Sequence, residues 1–230
     1  MTVALPPVPQ MDLTRLLDSL DSLGDPEAWL RPPGYPDSLA LCLLDSVWSL
    51  GANYDYHVVR VLNRYRSLRG HRAATDTATD LIQSVETCGG PDGFAHEMCN
   101  RQLTSTRGGV LKAEAVYRAA RIMADAGIET PLQLRAHVDR VSVPWRTLPG
   151  QRSSATGWRY LLLLAGASEA KPDRMILRFI SNALDRPCTP DEAHALLLAA
   201  AARVDVPLPA LDHRIWLFQS GRLERSPAAV

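Results

Sequence analysis

The sequence has only two lysines, Lys112 and Lys171, and all its other basic residues are arginines. Its four cysteines, Cys42, Cys88, Cys99 and Cys188, form no C-x-x-C pair and nothing like an extracellular disulfide framework. The six histidines are scattered outside any H-E-x-x-H pattern, so a catalytic metal has no support in the sequence. Long apolar runs are missing too. The strongest, 161–167 and 193–202, fall well short of the roughly 20 residues that a membrane span needs. Prolines and acids stand at the N-terminus, where a secretion signal would place basic residues and then an apolar run. These absences lead to the expectation of a cytoplasmic protein with no membrane partner.

What the chain does have is 46% hydrophobic residues in a length of 230, enough to bury a core as one domain or two closely packed lobes. Its 25 basic and 25 acidic side chains cancel, which argues against a polyanion partner until their positions are read. Residues 1–100 hold 7 basic and 13 acidic side chains, residues 101–190 hold 14 and 7, and residues 191–230 hold 4 and 5. The positive excess falls in 101–190, a pattern that hints at a polyanion partner. The alternative is chance clustering on a solvated surface.

Helical spacing dominates, no segment sustains a two-residue alternation, and no internal repeat is found. Leucines at 13, 16, 17, 20 and 23 make a one-sided stripe, and Gly24-Asp25-Pro26 stops it. The connector Arg31-Pro32-Pro33-Gly34-Tyr35-Pro36 delivers Asp37 and Ser38 as N-cap candidates for an apolar helix to about Leu50. Gly51-Ala52-Asn53 breaks it. Further helices are expected over about 56–68, 75–88, 94–103 and 110–126, and one begins at Thr130-Pro131. A linker at Val143-Pro144-Trp145 leads to a turn at 148–152, then to helices over about 153–164, from Asp173 to 184, from Thr189 to 203, and 211–218. About ten helices and no strand make this an all-α chain.

The segment Leu148-Pro149-Gly150-Gln151-Arg152-Ser153-Ser154-Ala155-Thr156-Gly157, running on to Lys171-Pro172-Asp173-Arg174, carries the most chemistry. A proline and a glycine make a tight turn, and Ser153 and Ser154 can cap the following helix. Exposed amides at a glycine turn and a helix N-terminus attract an anion. Asp173 is placed to N-cap the next helix, and a fixed carboxylate can also stabilise a sugar that becomes positively charged as its base departs.

That layout resembles the signature of the helix-hairpin-helix (HhH-GPD) DNA glycosylase superfamily, including endonuclease III-like and alkylbase glycosylase-like proteins. The resemblance runs over most of the chain from about Tyr35. Residues 38–65 are similar to the helix, polar break and helix that open the family domain. Gly108-Gly109-Val110-Leu111-Lys112-Ala113 is similar to its glycine-then-lysine-alanine step, and Asp212-His213-Arg214-Ile215-Trp216 resembles its closing helix. The resemblance implies an all-α, two-lobed helical bundle with an N-terminal helix and connector at 1–34, a glycosylase-like domain at 35–230, and its hairpin at about 140–165.

The function so implied is that of a monofunctional DNA N-glycosylase. A damaged or modified base in double-stranded DNA would be flipped out, and Asp173 would assist hydrolysis of its N-glycosidic bond. Gly150, Gln151, Arg152, Ser153, Ser154 and Lys171 would contact DNA, and Trp48, Asn53, Tyr54 and Trp158 would line the base pocket. For each aromatic residue, and likewise for Trp145, burial in the core is the competing role. Arg107, Arg118, Arg146, Arg159 and Arg174 are further candidates for backbone contacts. The protein would act as a monomer at the nucleoid. It would need no cofactor, the hairpin leaving room for a monovalent cation, and Cys188 alone in the last quarter would not hold an iron–sulfur cluster.

Two departures stand out. Arg152 takes the place of the hairpin's second glycine, which changes the shape of the turn while supplying its own charge to a phosphate. Ser154 stands where bifunctional members carry a lysine, and a hydroxyl cannot form a Schiff base, so no lyase step is expected. Two alternatives therefore stay open: a non-catalytic module that binds damaged or distorted DNA, and an all-α scaffold that no longer touches DNA.

Overall fold

A computed structural model describes residues 5–151 and 156–223. Among them the regular elements are helical: α1 (Gln10–Leu20), α2 (Leu39–Trp48), α3 (Val59–Arg69), α4 (Ala78–Thr87), α5 (Gly90–Glu97), α6 (Lys112–Asp125), α7 (Pro131–Ala136), α8 (Val138–Trp145), α9 (Thr156–Leu164), α10 (Arg174–Leu184), α11 (Pro190–Arg203) and α12 (Leu208–Gln219). The β-type feature among the described residues is a bridge between Leu103 and Leu111. The chain is all-α. It divides into two compact units, one formed by Gly34–Ala167 and the other by Met1–Pro33 together with Ser168–Val230. The N-terminal helix, expected to stand apart with its connector, thus shares a unit with the C-terminal helices.

The Gly34–Ala167 unit is built on α2. All ten residues of this helix are buried, Asp45 and Ser46 included, because a helix that is apolar nearly all round has to lie in the interior. The Ser38 hydroxyl accepts from the Leu41 amide at 3.3 Å and starts it, and α6 and α9 pack on it. Capping boxes open α4 (Thr77 with Asp80) and α7 (Thr130 with Gln133), each stabilising its helix by about 1 kcal/mol.

The buried charge-bearing side chains Asp45 and Lys112 in this unit come with partners. Asp45 is fully buried and accepts hydrogen bonds from the phenols of Tyr35 (2.9 Å), Tyr54 (2.7 Å) and Tyr160 (2.9 Å). Burial first, and then the Asp45 charge, pushes all three phenols well above the usual tyrosine value. The bonds fasten α9 and the break after α2 to α2 itself. Lys112, 2% exposed, donates to the carbonyls of Trp48 (2.7 Å) and Leu50 (2.8 Å) and to Gln102 Oε1 (3.2 Å). It satisfies the last carbonyl of α2, that of Trp48, and the Leu50 carbonyl just past the helix, and burial lowers its pKa to about 8.

The other unit gathers α1, α10, α11 and α12. Leu13, Leu16, Leu20 and Leu23 from the predicted stripe join Ile176, Phe179, Ile180 and Leu184 of α10 and the alanine/leucine face of α11 in one core. The capping box Thr189 with Glu192 opens α11. At the edge of this core Arg186 pairs with Asp12 at 2.7 Å, and Arg214 donates to the Leu23 carbonyl at 2.6 Å.

Two elements differ from expectation. The helix expected over 94–103 is α5, beginning at Gly90, because Pro91 sits in the first turn, where a missing N–H costs nothing. A Cβ on Gly93 would lie 1.8 Å from the Cys88 carbonyl oxygen, so only glycine fits there. The expected linker at Val143-Pro144-Trp145 is instead the last turn of α8.

Candidate active site

Asp173 is held by its own backbone. Pro172 precedes it, and Asp173 takes the N-cap position of α10 with φ −82° and ψ −175°, an extended conformation. Its Oδ1 accepts from the amides of Met175 (2.8 Å) and Ile176 (3.2 Å). The carboxylate is half-buried and fixed in direction, at the positive end of an 11-residue helix.

A second carboxyl lies beside it. Asp212, on α12, is 7% exposed, and its Oδ1 accepts from the Lys171 amide at 2.9 Å. Burial, and next the charge of Asp173, raise the Asp212 pKa to about 8, against smaller opposing contributions from the Lys171 amide and the Lys171 charge. At neutral pH this is a protonated acid next to a fixed carboxylate. A buried acid that holds its proton beside a second carboxyl group is an arrangement that can divide acid and base roles in a hydrolytic site. Further along α12, His213 stacks on Trp216 with centroids 6.0 Å apart, and burial lowers the His213 pKa. Asp212 is not among the site residues expected from sequence. Its signal there is an acid directly after the apolar stretch Leu208-Pro209-Ala210-Leu211.

The hairpin turn belongs to the Gly34–Ala167 unit. α8 ends at Trp145, Leu148 is buried, and Gly150 turns the chain with φ +85°. A Cβ there would also crowd Leu50 Cδ1 at 3.1 Å and the Thr104 Cβ at 3.3 Å, so the left-handed backbone favours glycine and the space beside it is tight. Gln151, expected to contact DNA, has 4% exposure, and its side chain packs on Gly157, where a Cβ would lie 2.0 Å from Oε1. Its Nε2 is buried without a hydrogen-bond partner among the described residues, and at this burial the side chain is not presented to a ligand. Arg152, Ser153 and Ser154 lie outside the described residues. Beside the turn a groove of about 300 Å³ is lined by Arg118, Arg121, Thr147 and Pro149, with Glu114 and Asp125 balancing its charge. Arg118 pairs with Glu114 at 2.6 Å.

The expected base-pocket residues do not form one wall. Trp48 is fully buried against Phe94, 6.5 Å between centroids, so an incoming base cannot stack on it; its packing makes it core. Tyr54 spends its hydroxyl on Asp45. Asn53 is exposed and caps the π-helical turn Tyr54–Val58 by accepting from the Tyr56 amide at 3.0 Å. Trp158 is half-buried and tilted on Trp145 at 5.7 Å. Lys171 is half-buried, and its amide is the donor to Asp212. Among the other cations, Arg107, Arg146 and Arg174 are exposed and Arg159 is half-buried. Among the described residues no cluster of three or more histidine, cysteine, aspartate or glutamate side chains could hold a metal ion.

These features define an all-α protein with a carboxyl pair in one unit and a glycine turn between two helices in the other. The chain belongs to the family described as a domain of unknown function, DUF8548, whose model matches residues 14–220. No curated protein and no solved structure matches it.

Proposed function

We propose that this protein is a monofunctional DNA N-glycosylase of the helix-hairpin-helix type, acting on a damaged or modified base. The observation that carries the reading is the pair formed by Asp173 and Asp212, one carboxylate fixed by two amides and one buried acid that keeps its proton at neutral pH. Cleavage of an N-glycosidic bond leaves positive charge on the sugar, which Asp173 offsets. The same carboxylate orients the water that adds to the sugar carbon. Asp212 holds the Lys171–Asp173 segment through its bond to the Lys171 amide and keeps a proton in reserve beside the reacting group. In this reading α8, the Gly150 turn and α9 serve as the hairpin that meets a DNA phosphate.

The test incubates the protein with duplexes carrying deaminated, oxidised or alkylated bases and then applies alkali to reveal abasic sites. Strand breaks that depend on the alkali step support the reading, and release from none of the duplexes removes it. A second reading, a module that binds distorted DNA without chemistry, draws on one observation. Trp48 is sealed in the core and Tyr54 is committed to Asp45, which leaves the expected pocket without two of its walls.

A further inference from the structure

The π-helical turn Tyr54–Val58 and α3 carry a surface that the reading above does not use. From Tyr56 to Thr75 the chain has five arginines, Arg60, Arg64, Arg66, Arg69 and Arg72, and no acid. Two are engaged: Arg69 pairs with Asp76 at 2.7 Å and Asp80 at 3.3 Å, and Arg66 lies 5.7 Å over the Tyr35 ring. Arg60 and Arg64 are exposed, as is Arg72, whose charge acts on the Asp80 carboxylate. Arg60 and Arg64 face outward because Val61, Leu62 and Tyr65 take the buried side of α3. The two stand one turn apart, with about 6 Å of rise between them. Tyr56 begins the same stripe. It is 57% exposed, with the Arg60 guanidinium 4.2 Å from its ring centroid and the His57 ring packed edge-on at 4.8 Å. Asp55, just before it, is the one acid at this end.

We propose that this face binds an unpaired strand of nucleic acid, with Arg60 and Arg64 on phosphates and Tyr56 stacking on a base. The charge selects a polyanion. The exposed ring, steadied by Arg60, selects one that carries planar groups, in preference to a lipid headgroup or an acidic peptide. The proposal goes beyond the glycosylase reading and does not require it.

The test measures fluorescence anisotropy of a labelled oligothymidylate with the full chain over a salt series. Parallel arms use phosphatidylserine vesicles and polyglutamate. The wild type is expected to bind the oligonucleotide. The double variant Arg60→Glu/Arg64→Glu should weaken binding at least about tenfold, and its log–log salt slope should be shallower by about 1.4. Tyr56→Ala should weaken binding roughly five- to hundredfold without changing the slope, and Tyr56→Phe should retain it. If the double variant shifts the thermal melt, Arg60→Gln/Arg64→Gln is judged by the same criteria. Wild-type affinity and slope in the charge variants would overturn the proposal. So would absence of wild-type binding at low salt, or equal binding of vesicles or polyglutamate through the same arginines. Base release from modified duplexes is read separately: its absence removes the glycosylase reading alone.

Discussion

Replacing Asp212 by asparagine perturbs one buried proton. In the folded protein this carboxyl holds its proton up to about pH 8, against a usual value of 3.8. Between those two values the native state binds a proton that the unfolded chain has released, so stability must fall as pH rises. The contribution is complete below about pH 4 and is lost as pH passes through 8. Each tenfold change in proton affinity corresponds to about 1.4 kcal/mol, and the window spans about four pH units, so the pH-dependent loss is on the order of 5 kcal/mol. That is a large fraction of a typical domain's stability. The asparagine cannot titrate. Urea unfolding of the wild type and Asp212→Asn at steps from pH 4 to 9 isolates the effect, because every other titrating group is common to both. The wild-type curve should descend relative to the variant across this range. Parallel curves, or a wild type that gains stability relative to the variant as pH rises, would refute the assignment of a buried proton to Asp212.

Other perturbations follow from the same packing. Lys112→Met leaves the Trp48 and Leu50 carbonyls and Gln102 Oε1 without their donor, and should cost about 3 kcal/mol in urea unfolding; an unchanged midpoint would contradict the capping role. Gly93→Ala drives a methyl into the Cys88 carbonyl oxygen and should cost at least about 2 kcal/mol, read as a lower melting temperature. Tyr160→Phe removes one of the three phenols on Asp45 and should cost about 1 kcal/mol, while Tyr56→Phe, on an exposed ring, should cost nothing measurable.

Local signals are legible in the sequence where the cause is local. The leucine stripe of α1, the apolar run of α2, and the threonine caps at Thr130 and Thr189 each lie within one to three helical turns, and periodicity or capping chemistry reads them directly. Asp173 as an N-cap belongs with them. What depends on chain segments meeting far apart is hidden. Asp212 reaches the Lys171 amide across 41 positions, Tyr160 reaches Asp45 across 115, and Lys112 reaches Trp48 across 64. No pattern in the intervening residues encodes those pairings. The arginine face of α3 is masked for another reason: totals over residues 1–100 average its five cations against acids elsewhere. Trp48 is ambiguous from sequence because an aromatic side chain near a polar break suits a base pocket or a core equally well, and only packing decides.

The glycosylase proposal requires Asp173 to serve chemistry as well as to cap α10. The rate of base release by Asp173→Asn, on whichever modified duplex the wild type processes and with binding of that duplex measured alongside, puts this to the test. Asparagine keeps a side-chain oxygen for the cap amides but not the negative charge, so release should fall roughly a hundredfold or more while binding stays within a few-fold. Release at the wild-type rate would contradict a chemical role for Asp173.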